Sequence, residues 1–465
     1  EMYRDSIAYN MPVRIECSGK IDIEKVKTVL AKLSQRHDAF RTSFTLSGGE
    51  GWQHIADDIC IDVDYVKRES LTDKEQQKEM ECFVKPFDLS KAPLFRVKII
   101  DTKSASILLF DMHHIISDGM SMTVLTREFF ALYEGAELPP VNVQYKDYSA
   151  WIAARDLGKQ KEYWLSEFDE EAPVLDLPTD KPRPQVQSYS GRSIKRFLSE
   201  KQKAGVLELC SKTGTTEYMV LLSALMVTLS KHSRQEDIVI GSPVSGRTHR
   251  DTEGIIGMFV NTLAMRGYPC RDKRFLDFLC ETKDKCLKAY ENQEYPFEEL
   301  VNNVQVRRDL SRNPLFDVMF ALQNNEKMCL QGETISFKIA EDEQNFSKFD
   351  LTFDVSYGAE GYEARIEYCD AIFNEDSVDR IWNHFVNVVD VVMTNPDILI
   401  GDISVLDEKE HDMVVNTFNE TYYPFPEEKT VVDIFEEYAK HNPDKIALIF
   451  EDQRVLNIVM QYLMK

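Results

Sequence analysis

The sequence predicts a mixed α/β protein built as two lobes, and three observations carry that prediction. Segments of helical and of strand periodicity alternate along the 465 residues. A proline-rich interruption falls at residues 170–185, with four prolines among charged residues. The chain on either side of it has the same α/β texture.

The elements follow in order. Ile23, Val26, Leu30 and Leu33 share one helical face, with Asp22 placed to cap it. Residues 106–114 read as a buried strand, and 121–133 as a helix carrying Val124, Leu125, Phe129 and Leu132. A tight Ser-Asp-Gly turn separates them. The 170–185 segment is expected to be extended and exposed. A second helical run at 201–231 opens the second half, which has its own strands near 238–240 and 349–357. A Pro/Glu-rich linker near 424–429 precedes a helix-then-strand unit at 430–450, too small to hold a core alone. The expected division is therefore 1–169 and 186–415 for the lobes, 170–185 and 416–429 for linkers, and 430–465 for a final fragment.

Composition narrows the function classes. With 55 basic and 79 acidic residues the net charge is −24, which argues against nucleic acid and anionic membranes as partners. The longest apolar stretch, 219–229, is about half the ~20 residues of a membrane helix. Glu1-Met2-Tyr3-Arg4 has no apolar signal core, so a soluble cytoplasmic protein is expected. Nine cysteines include no CxxC pair, so neither a zinc site nor a disulfide framework is expected.

The strongest chemical feature is His113-His114-Ile115-Ile116-Ser117-Asp118-Gly119 directly after the apolar strand. Period-2 geometry places the two imidazoles on opposite faces, one interior and one toward a neighbouring space. Asp118 and Gly119 turn into a helix whose first amides lack partners. A histidine beside free amides suits acyl transfer: the imidazole handles a proton and the amides stabilise an oxyanion. The bland alternative is two packed histidines beside an ordinary turn. Opposed imidazoles with no third ligand make a poor metal site.

Two other motifs are set aside. Gly241–Thr248 nearly spells a phosphate loop, but Arg247 takes the lysine position and Pro243 removes an amide. Thr213-Gly214-Thr215-Thr216 lacks the glycine-lysine run of an adenylating loop and reads as a turn between helices. Arg36 and Arg41 read as structural ion-pair partners, and Tyr145, Tyr148 and Trp151 as core anchors.

The histidine segment resembles the HHxxxDG motif of condensation domains in nonribosomal peptide synthetases. Five further elements follow that family's pattern. They are the RHDAFRTSF run at 36–44, YKDY with Trp151, IGSPVSGR with GMFVNT at 240–262, NQEYPFE at 292–298, and RDLSRNPLFDVMF at 308–320. The resemblance covers roughly residues 8–415. It implies a fold of two chloramphenicol-acetyltransferase-like lobes set in a V around a tunnel. It also implies an amide-forming acyltransferase that joins a carrier-bound aminoacyl or peptidyl thioester to a carrier-bound acceptor amine. No cofactor is expected on the domain itself; the substrates ride on phosphopantetheine arms of upstream and downstream peptidyl carrier proteins.

The resemblance makes His114 the residue that holds or removes the amine proton and orients the nitrogen, alongside catalysis by positioning alone. Gly119 is the close-approach amide. His113 and Asp118 are expected to be structural, with Asp118 paired to Arg247 or to Arg41. Residues 430–453 look like the opening of an adenylation domain, the expected partner in the same synthetase, but stop before any ATP-binding motif. The family's first element, SxAQxRLW, is missing ahead of Ser6, so a truncated chain is expected. Met120 and Glu291 replace a common Trp and His. The related epimerisation domains lack GxFVNT, heterocyclisation domains carry DxxxxD instead of the histidines, and coenzyme A-dependent alcohol acyltransferases need a DFGWG that is absent here. A catalytically idle carrier-docking module is the rival from a different class.

Overall fold

The computed structural model describes residues 6–456, apart from 104, 308, 324–328, 333–334, 341–345, 360, 423, 425 and 451–452. The four N-terminal residues, Arg308 and residues 457–465 of the sequence reading lie outside the described residues. The chain forms two compact units, divided between Val405 and Leu406.

In the larger unit the first half runs β1 (Asn10–Ser18), α1 (Ile23–Arg36), the hairpin β2 (Thr42–Ser47) and β3 (Glu50–Ile55), β4 (Val63–Lys67), α2 (Asp73–Phe83), β5 (Phe95–Asp101), β6 (Ala105–His113), α3 (Gly119–Tyr133), α4 (Tyr145–Ala153) and α5 (Gly158–Glu167). The second half continues with β7 (Gly191–Ser199), α6 (Glu200–Thr213), α7 (Glu217–Ser233), β8 (Ile238–Val244), β9 (Asn261–Gly267), α8 (Phe275–Glu291) and α9 (Phe297–Asn303). It closes with β10 (Val318–Gln323), β11 (Cys329–Gln331), β12 (Ser336–Ala340), β13 (Leu351–Gly358), β14 (Gly361–Cys369) and α10 (Glu375–Thr394). The smaller unit holds α11 (Glu408–Val415), α12 (Val431–His441) and the hairpin β15 (Ile446–Phe450) and β16 (Gln453–Leu456).

Local chemistry explains the helix starts. Asp22 accepts from the Glu24 and Lys25 amides at the head of α1, and Val26, Val29, Leu30 and Leu33 are its buried stripe. Gly214 takes the left-handed conformation that ends α6, so the helical run splits there, as the Thr-Gly-Thr-Thr turn predicts. α7 is buried along almost its whole length, which accounts for its unbroken apolar sequence.

Two six-stranded sheets form the frame, one ordered β11-β12-β1-β6-β5-β4 and the other β7-β14-β13-β10-β8-β9. Each has its own core. The mixed α/β architecture with two sheets agrees with the sequence expectation. The partition is not a single cut, however. β12 pairs antiparallel with β1, from Arg14 opposite Ala340 to Ser18 opposite Ser336, so the second half supplies an edge of the first sheet. Ile256 joins the first core, whereas Trp164 and Phe168 join the second.

Residues 170–185 contain no helix or strand, as expected, but they are not simply exposed. Ala172, Leu175 and Leu177 are buried in the second core, where apolar side chains leave water, while Asp176 between the two leucines stays exposed. Among the described residues no helix is long and apolar enough to cross a membrane.

Candidate active site

The site grows from the end of β6. The strand stops at His113, and residues 114–116 form a 3₁₀ turn, so the period-2 alternation expected for the two histidines does not extend to His114. The turn is built by the histidines' own neighbours. The Ile115 amide donates to His113 Nδ1 at 3.1 Å, and Ser117 Oγ donates to the His113 carbonyl at 3.1 Å. The His114 amide donates to the Tyr9 carbonyl at 2.8 Å. Both histidines are half-buried.

His113 lies between two aromatic rings, stacked on Tyr9 at 6.3 Å and edge-on to Phe87 at 6.0 Å. Burial, then the His114 and Lys348 charges, lower its pKa to about 4. Burial and then Lys348 also lower the pKa of His114. A neutral imidazole at physiological pH follows for both, the form that accepts a proton.

Asp118 starts α3. Its Oδ1 accepts from the Ser121 amide at 2.7 Å, which leaves Gly119 and Met120 as the first helical residues ahead of that cap. Its partner is Arg247. Arg247 Nη2 donates to Asp118 Oδ1 at 3.0 Å and to Ser121 Oγ at 3.0 Å, while Nη1 reaches the carbonyls of Thr252 and Ile255. Asp118 Oδ2 also accepts the Phe259 amide at 3.1 Å. The other candidate, Arg41, is occupied elsewhere: it bonds Asp38 Oδ1 at 2.6 Å and the Ser34 carbonyl at 2.9 Å. Arg36 and His37 both hold the buried Glu128 of α3, at 2.9 and 2.7 Å.

Glycines let the second half approach this turn. Gly246 has φ +64°, and an added Cβ would fall 1.8 Å from the Phe259 carbonyl oxygen. Gly257 exchanges hydrogen bonds with Ser121 Oγ, and a Cβ there would meet the Tyr145 ring at 2.4 Å. Gly119 differs, since a Cβ would meet no atom within 4 Å. Protein packing does not demand glycine at that position.

The remaining motif residues assemble around the same contact. Phe259 packs on Tyr145 at 5.1 Å and Tyr148 at 4.7 Å, and the Arg247 guanidinium covers its ring at 4.1 Å. The expectation that Tyr145, Tyr148 and Trp151 are core anchors is corrected here. α4 buries none of its residues, and Trp151 is 42% exposed beneath Arg155. Their ring contacts run to one another and to Phe259, and neither core includes them. Asn261 donates to the carbonyls of Gln293 and Tyr295, tying GMFVNT to NQEYPFE.

Sequence reasoning missed three residues. Asp111 is fully buried two positions before His113, bonded to Asn10 at 2.8 Å and Arg96 at 3.1 Å, and burial lifts its pKa to about 6. An aspartate inside the run ILLFDMH was its only signal. Tyr9, just before β1, bonds and stacks on the histidines, Lys348, just before β13, lies over the Tyr9 ring, and nothing in the sequence near either marks them.

A family model described as Condensation domain matches residues 1–415. The chain belongs to the condensation-domain family. Such domains are the amide-forming acyltransferases of nonribosomal peptide synthetases. The condensation domain is 42% identical over 452 residues to bacitracin synthase 3 of Bacillus licheniformis, covering 96% of this chain and 7% of that protein. It is 40% identical over 461 residues to gramicidin S synthase 2 of Brevibacillus brevis, covering 96% of this chain and 10% of that one. It thus spans a tenth or less of the length of these relatives. Its fold superposes with TM-score 0.84 on AB3403, a four-domain nonribosomal peptide synthetase bound to AMP and glycine, at 20% identity, covering all of this chain and 38% of that one. The first condensation domain of the calcium-dependent antibiotic synthetase superposes at 0.69 with 14% identity, covering 87% and 96%. The two-lobe, chloramphenicol-acetyltransferase-like fold class follows from these likenesses.

Proposed function

We propose that the chain forms a peptide bond between a donor acyl thioester and an acceptor amine, each carried on the phosphopantetheine arm of a peptidyl carrier protein. The observation that supports this best is a half-buried His114 immediately ahead of the Asp118–Gly119 turn that Arg247 clamps. The acceptor nitrogen attacks the thioester carbon, the C–S bond breaks, and the proton lost from nitrogen is matched by one gained by the departing thiolate. An α-ammonium with a pKa near ~8 must shed a proton before it can attack. His114 is the group placed to hold or take that proton, and the open space at Gly119 leaves room for the reacting carbonyl beside the first amides of α3.

His113 fits a structural role, since its Nδ1 is used by the Ile115 amide. Asp118 and Arg247 brace the turn, and Arg41 braces the hairpin end. The domain itself holds no cofactor in this reading. An adenylation domain of the same synthetase is the third partner, and a cytoplasmic location accords with carriers and synthetases that work together. The test is incubation with two aminoacyl-loaded carriers and detection of a dipeptidyl thioester by intact mass. Binding of both carriers without product would identify an idle docking module instead.

A further inference from the structure

We propose that Lys348 is a positioning residue for the condensation reaction, a fixed cation held over the ring of Tyr9, the residue that bonds and stacks on the His113–His114 pair. The inference rests on the reading of His114 given above, and it adds a residue that lies outside every motif used there.

The geometry begins with Tyr9. Its carbonyl accepts the His114 amide at 2.8 Å, and its ring stacks on His113 with centroids 6.3 Å apart. Lys348 Nζ lies 4.8 Å from the centroid of that same ring. A cation over an aromatic face is attracted by the ring quadrupole, so the ammonium is held beside the pair rather than left to swing in solvent.

The backbone of Lys348 is fixed to a degree that an incidental surface lysine does not need. Its carbonyl accepts from Gln187 Nε2 and from Asn313 Nδ2, both at 2.9 Å. On one side the Ser347 amide bonds the Tyr189 carbonyl at 3.0 Å. On the other, Asp350 pairs with Arg183, whose Nη1 lies 2.9 Å from Oδ1. Gly191 permits the approach, since a Cβ there would lie 2.5 Å from the backbone of Phe346 and Ser347.

The charges facing each group are few. Around His114 they are Lys348 and Asp118, and Asp118 is already bound to Arg247. The carboxylate that acts on Lys348 is Glu367 of β14, itself paired with Arg365 at 3.1 Å. Burial lowers the lysine pKa to about 8, so it stays mostly charged at neutral pH. The sign is definite: a neighbouring cation disfavours the imidazolium, and its removal lets His114 protonate at higher pH.

The experiment is histidine titration by NMR on the full chain with ¹³C-labelled imidazoles, His114 being assigned with His114→Gln. In the native chain His114 is expected to titrate below ~6.5. Lys348→Met should raise its midpoint by about half a pH unit or more, and Lys348→Arg should return it toward the native value. The acid limb of dipeptide formation should move in the same direction. A His114 midpoint unmoved by Lys348→Met overturns the inference. Should that variant fail to fold, Lys348→Gln takes its place, and a His114 midpoint that it leaves unmoved overturns the inference in the same way. Failure of the native chain to form any dipeptide would sink the proposed function, while the titration still decides the role of the lysine.

Discussion

Asp118 and Arg247 stand 129 positions apart, yet their side chains meet at 3.0 Å with 0% and 3% of their surface exposed. The pair joins the turn after the histidines to the segment after β8. Removing one partner strands a buried charge, so Asp118→Ala should cost about 3–5 kcal/mol. Arg247→Ala should cost a similar amount, since it also releases the Thr252 and Ile255 carbonyls. Urea unfolding of the double variant should show less than the sum of the two losses. Additive losses would mean the side chains act independently.

His114→Ala should slow dipeptide formation about 10²–10⁴-fold, the range for loss of a general base. Carrier affinity, measured by calorimetry, should stay near the native value. Native turnover in this variant would remove His114 from the reaction.

Two glycines should respond oppositely to alanine. Gly246→Ala meets a left-handed φ of +64° and a Phe259 oxygen 1.8 Å from the new methyl, so a stability loss of about 2 kcal/mol or more is expected. Gly119→Ala meets no protein atom within 4 Å, so its melting temperature should hold while turnover falls. Equal thermal shifts for both would contradict this division between packing and substrate space.

The pH dependence of stability has a sign that can be worked out. His232, paired with His384 at 2.9 Å, is held at about 4 by burial and its neighbour, against ~6.5 unfolded. Between those values the unfolded chain binds more protons, so this histidine's contribution falls as pH drops. Asp111, Asp317 and Asp354, lifted to about 6 by burial, run the other way. The histidine term is therefore read as a difference. His232→Gln should lose less stability than the native chain between pH 6.5 and 4.5, and equal losses would refute the assignment.

What could be read from the sequence was local. α1 follows from the Asp22 cap and its apolar face, and α3 from the periodicity of its apolar residues, signals that lie within a few residues of each other. The choice between Arg41 and Arg247 was not legible, because it turns on a contact across 129 positions. Lys348 and Asp111 were not legible for a related reason: their meaning is burial, and burial of a charge is a property of the folded surroundings. Tyr145, Tyr148 and Trp151 were misplaced because aromatic side chains look alike in sequence whether they fill a core or pack on a single distant ring.

The pairing of β12 with β1 reaches into the life of the chain before it is complete. Ser18 and Ser336 face each other across 318 positions, with hydroxyls 2.5 Å apart. At roughly 5–20 residues per second on the ribosome, β1 waits about 16–64 s for its neighbour to be made. During that interval an open strand edge sits beside a growing polypeptide, a standing invitation to wrong pairing with other nascent chains. Expression of the first half alone would make that interval permanent, so a chaperone, slower growth or the intact gene is the sensible route to soluble protein.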